Sequence, residues 1–105
     1  MPPSSVIPVY CISGLGATRH LFDHLTIPGC DIRPLDWLAP VGRESIQDYA
    51  ARLARGIASG PSCVLLGVSF GGLVALEMAR IVRPRLVILV RSEEHTSELQ
   101  SRQVI

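Results

Sequence analysis

The chain has 105 residues, enough for one small domain and too few for two. Apolar residues make up 48% and charged residues 18%, which excludes a disordered chain, and a net charge of +1 argues against a dedicated nucleic-acid surface. The three cysteines, Cys11, Cys30 and Cys63, are odd in number and set in apolar runs, so they read as free thiols rather than a disulfide or metal framework.

No apolar run reaches the ~18 residues of a membrane span, and no positive charge precedes the first run. The expected setting is therefore cytoplasmic, without a signal peptide.

Taken in order, Val6 to Ile12 reads as a strand buried on both faces, with Pro8 near its start where a missing N–H is tolerated. Ser13-Gly14-Leu15-Gly16 forms a tight loop. Arg19 to Thr26 carries Leu21, Phe22 and Leu25 at helical spacing and closes at Pro28-Gly29. Cys30 to Trp37 is a second strand, less apolar and so nearer a sheet edge. Ser45 followed by Asp48 resembles a helix start, and Ile46, Tyr49, Ala50, Leu53 and Ile57 fall on one face of a helix that Gly60-Pro61 stops.

Ser62 to Val68 is the third strand. The helix after it has Glu77, Arg80 and Arg83 as its charged positions, which predicts one narrow wet stripe on an otherwise buried helix ended by Pro84. Arg85 to Val90 is a fourth strand, expected to be an uncharged apolar edge if no further strand pairs with it. The β-α alternation implies an α/β fold, a parallel four-stranded sheet with flanking helices and right-handed crossovers.

Between the third strand and its helix, Gly67-Val68-Ser69-Phe70-Gly71 fits Gly-x-Ser-x-Gly, a strand–elbow–helix that presents a nucleophilic serine. So tight a turn strains the backbone at Ser69, and side chains two residues to either side would collide, which glycine at 67 and 71 avoids. The alternative is a glycine-rich turn whose serine merely caps the helix.

Residues 6 to 90 resemble the N-terminal half of an α/β-hydrolase. The likeness rests on Ser13-Gly14-Leu15-Gly16 after the first strand, Asp36-Trp37 at the end of the second, and Gly67-Val68-Ser69-Phe70-Gly71-Gly72 after the third. It implies local strand order 2-1-3-4, acyl transfer to Ser69, and an oxyanion hole from the backbone N–H groups of Phe70 and Leu15. Gly14 and Gly16 would let the loop approach. It implies a small-molecule acyl substrate (an ester, thioester or related acyl compound), no cofactor and no metal, and leaves the oligomeric state open.

The departure from the family lies after the elbow. Its triad runs serine, acid, histidine along the chain, but after Ser69 only Glu77, Glu93, Glu94, Glu98 and His95 are available. Residues 1–90 therefore read as the N-terminal part of the domain, with no triad acid or base present and no competence for hydrolysis in this polypeptide. Residues 91–105 change composition abruptly and match a translated frame of a sequencing-adapter oligonucleotide, so they are read as a non-native or disordered tail.

Two other readings stand beside this one. Gly14, Gly16 and Asp36 form most of a dinucleotide-binding fingerprint, although Arg19 occupies the third glycine position. A non-catalytic hydrolase-like binding protein is the other. His20 and His24 precede the serine and read as exposed or capping residues, Asp36 as a solvated loop position, Trp37 as packing, and Cys11 and Cys63 as core.

Overall fold

The computed structural model describes residues 6–14 and 19–91. Four strands, β1 (Ile7–Ile12), β2 (Cys30–Pro34), β3 (Val64–Val68) and β4 (Leu86–Val90), form one sheet in the order β2-β1-β3-β4. Every pairing is parallel, with Ile7 opposite Cys30, Val9 opposite Val64, and Val64 opposite Leu86. β1 and β3 take the centre, and the equally apolar β4 lies at one edge. This is the α/β architecture and strand order expected.

Alternation along β1 divides the core. Tyr10 and Ile12 face helices α1 (Ile46–Ala54) and α2 (Phe70–Val82), packing with Leu53, Leu65, Val74 and Met78. Val9 and Cys11 face the other way, with Val64, Leu66 and Phe22. Cys11 and Cys63 are wholly buried, as read.

Several elements are shorter than their sequence pattern. The expected helix from Arg19 to Thr26 is one 3-10 turn, Arg19–Phe22, with Phe22 buried and Leu21 52% exposed. A segment that short and closed by Pro28 has too few turns to nucleate an α-helix. Strand β2 stops at Pro34, three residues before Trp37, where the proline has no N–H to continue a ladder. Helix α1 ends at Ala54, before Gly56, although Ile57 still packs on the same core. Strand β3 begins at Val64 rather than Ser62.

The prediction that α2 is buried apart from one charged stripe is overturned. The sheet and α1 cover Gly71, Val74, Ala75, Met78 and Val82, while Leu73, Leu76 and Ile81 stand 53%, 44% and 52% exposed. Charge spacing marked a polar stripe correctly but says nothing about whether a neighbouring element covers the apolar remainder. Among the described residues, no helix is long and apolar enough to cross a membrane.

Candidate functional site

The C-terminal ends of the two central strands converge on Ser69. It is exposed, with φ 56° and ψ −122°, a conformation that costs an L-residue strain. Two backbone bonds hold the bend: Ser69 N donates to Val90 O at 2.8 Å, and Gly72 N to Ser69 O at 2.8 Å. The hydroxyl makes no capping bond to α2, so the capping role considered for it is not the one it plays.

Glycine is required at both ends of the motif. A Cβ on Gly67 would fall inside 3.0 Å of the Gly71 carbonyl and of Gly72 Cα. A Cβ on Gly71 would likewise strike the carbonyl oxygens of Ile12 and Ser13. The first turn of α2 therefore rests directly on the end of β1, which brings the loop after β1 beside the elbow. Gly14 marks that approach: a Cβ there would sit 3.2 Å from Ser69 Cβ and 3.8 Å from Ser69 Oγ. Gly72 has more room, since a Cβ would meet the flexible end of Leu89 at 3.3 Å and the Gly67 carbonyl oxygen no closer than 3.6 Å.

Phe70 opens α2, so its N–H lies in the first turn, where helix N–H groups lack intrahelical partners and the helix dipole is positive. Leu15 and Gly16 lie outside the described residues, as do Glu93, Glu94, His95 and Glu98. Of the titratable groups considered earlier, His20 is engaged with Asp23, Nδ1 to Oδ2 at 3.2 Å, and Glu77 with Arg80 at 3.7 Å. Asp36 is exposed and pairs with Arg19 at 3.5 Å. Among the described residues, no group of three His, Cys, Asp or Glu side chains could hold a metal ion.

Trp37 does more than pack. Its ring stacks on Tyr49 and on Phe70, with centroids 5.5 and 6.2 Å away, and its Nε1 donates to the buried Ser13 Oγ at 3.0 Å. Tyr49 Oη in turn accepts from Leu38 N at 2.8 Å. Ser13 was read only as part of a tight loop. The available signal was chemical: a partly buried indole N–H needs an acceptor, and a buried hydroxyl at the end of a neighbouring strand supplies one.

Two grooves adjoin the elbow. One of about 240 Å³ is lined by Ser69, Leu73, Leu76, Leu89 and Arg91. The other, about 260 Å³, runs from Phe70 past Trp37 and Tyr49 to Leu38 and Pro40.

No family model and no curated protein matches the chain. Among solved structures it is similar to ClbQ from the colibactin NRPS/PKS pathway, with a TM-score of 0.65 and 18% identity. The match covers 92% of this chain and 50% of that one, so this chain spans about half the length of ClbQ. At that identity the likeness is one of fold.

Proposed function

We propose that this chain is the nucleophile-bearing part of a serine hydrolase acting on a small acyl substrate. The observation that supports this most directly is the strained, exposed Ser69 at the bend between β3 and α2, with Gly14 held against it. Strain of this kind is retained where the surrounding structure over-determines it, and here two glycine contacts do so. The fold likeness to ClbQ is consistent with the reading.

In the reaction, Ser69 Oγ attacks the acyl carbonyl carbon while a base takes its proton. The tetrahedral oxyanion receives hydrogen bonds from the N–H of Phe70 and of Leu15, preorganised donors of a kind worth a few kcal/mol of barrier. Collapse expels the leaving group, which takes the proton, and water then releases the acyl group from Ser69 by the same steps. No acid or imidazole among the described residues is assigned as this base or its orienting acid. The three free thiols support a reducing, cytoplasmic setting.

The test is labelling with a fluorophosphonate probe, using residues 1–90 followed by their genomic continuation. Adduct formation on the peptide containing Ser69, abolished by Ser69→Ala, is the expected result. A folded protein that resists the probe, or that binds NAD without reacting, would overturn the proposal.

A further inference from the structure

The chain leaving β1 runs past its last strand pair before it reaches Ser69. The ladder between β1 and β3 ends with Ile12 opposite Gly67. Two residues on, Gly14 lies against the elbow, where a Cβ would come within 3.2 Å of Ser69 Cβ. Beyond the last rung that approach depends on packing and on side-chain bonds. One such bond is at hand: the Ser13 hydroxyl, on a residue 1% exposed, accepts from Trp37 Nε1 at 3.0 Å.

Trp37 is itself held by its neighbours. Leu35 N donates to Cys11 O at 2.9 Å, which carries the chain beyond β2 alongside β1. Leu38 N donates to Tyr49 Oη at 2.8 Å, and the Trp37 ring stacks with that of Tyr49, 5.5 Å between centroids. A frame from β1 and α1 therefore delivers the indole N–H to Ser13. The same ring stacks with Phe70, 6.2 Å away and inclined by 24°. One side chain thus touches both segments that flank Ser69: the residue before Gly14 through its N–H, and the first residue of α2 through its ring.

Packing accounts for the ring but not for the N–H, since any aromatic ring would stack here and the bond to Ser13 is what tryptophan adds. We propose that Trp37 is a positioning residue for the oxyanion hole, holding the loop that starts at Gly14 and the N-terminus of α2 at the separation an oxyanion requires. This rests on the hydrolase reading, which assigns the donors to the N–H groups of Leu15 and Phe70. Such donors act by being aimed in advance, and a misplacement of about 1 Å is costly to the reaction. Trp37 acts through Ser13 and Phe70, not on the substrate.

Fluorophosphonate labelling of the same protein, residues 1–90 with their genomic continuation, reads the effect. Ser69 Oγ displaces fluoride from phosphorus, its proton passing to the base, while the phosphonyl oxygen takes the oxyanion position. Trp37→Phe keeps a ring and loses the N–H, and Ser13→Ala loses the acceptor. Each should lower the maximal labelling rate about tenfold, less than the roughly hundredfold of a donor lost outright, with the half-saturating probe concentration unchanged. The double variant should lose no more than either, because both remove one bond. Ser45→Ala, which uncaps α1, should destabilise the protein without slowing labelling. A wild-type rate in either single variant, losses that multiply in the double variant, or an equal loss in Ser45→Ala would each overturn the positioning role. Hydrogen exchange of the peptide containing Gly14 needs no chemistry at Ser69 and should speed by about threefold or more in Ser13→Ala. Unchanged exchange overturns the positioning role. Faster exchange in a protein whose Ser69 resists the probe overturns the hydrolase reading and leaves the tie from Trp37 to the loop standing.

Discussion

Gly67 and Gly71 face each other across the elbow so closely that a Cβ on the first would penetrate the carbonyl of the second. The elbow is therefore a contact between two backbones, with β3 and α2 meeting where side chains are excluded. Gly67→Ala should destabilise the protein by about 3 kcal/mol or more, because the obstacle is main chain and cannot rotate away. Gly42→Ala is the comparison: its φ of 54° carries strain, but a Cβ there meets nothing within 4 Å. It should cost only about 1 kcal/mol. Urea denaturation of the two variants measures the difference, and equal losses would contradict the contact.

Ser69 and Arg83 are the two non-glycine residues with positive φ among those described, 56° and 54°, and they bracket α2. Arg83 sits in the left-handed conformation at the helix C-terminus, with its N–H bonded to Ala79 O at 3.0 Å. Arg83→Gly should stabilise the fold by about 1 kcal/mol, since glycine adopts that conformation without penalty. Ser69→Gly should also stabilise, by about 1 kcal/mol, while abolishing reaction with acylating probes. The two sites are roughly 20 Å apart along α2, so the gains should add in a thermal melt. Loss of stability in Ser69→Gly would show that Ser69 is not strained.

The elbow was legible in the sequence because its requirement is local: five residues, two of them glycine, specify a bend that few other backbones make. The central placement of β1 and β3 came from the family resemblance rather than from hydropathy, since the edge strand β4 is an equally apolar run. What escaped was what depends on distant neighbours. Trp37 carries no local mark of its bond to Ser13, 24 residues away. The exposed side of α2 escaped for a related reason, since Leu73 and Leu76 look like core residues by hydropathy and differ from Val74 and Ala75 only in which side of the helix the sheet occupies.

Ser45 caps α1, its hydroxyl accepting from Asp48 N at 3.0 Å. Ser45→Ala should cost about 1 kcal/mol, and Ser45→Asp should recover most of it by supplying another acceptor that also suits the positive helix end. Circular dichroism melts check both. No loss on Ser45→Ala would mean that packing alone holds the helix start.

Burial pushes the Cys11 thiol up to about 11. The unfolded thiol ionises near its ordinary value of 9.0, so between about pH 9 and 11 the unfolded chain releases a proton that the folded chain retains. Stability present below pH 9 should fall by about 2–3 kcal/mol across that window. Cys63 and Tyr49 are raised by burial too and act in the same direction. Denaturation at pH 8 and pH 10.5 should show the loss, and Cys11→Ala should reduce the slope even though it lowers stability at neutral pH. A profile flat from pH 8 to 10.5 would contradict the burial of these groups.

The Tyr10 hydroxyl accepts from Arg33 on the edge strand at 3.4 Å and from Ala58 N, 48 residues along the chain, at 3.3 Å. One phenol on a central strand thus fastens two segments that meet only after both crossovers have closed. Such contacts form late, because the entropy of closing long loops must be overcome before they return anything. Tyr10→Phe is accordingly expected to speed unfolding more than it slows folding, and stopped-flow denaturation of the variant measures both rates.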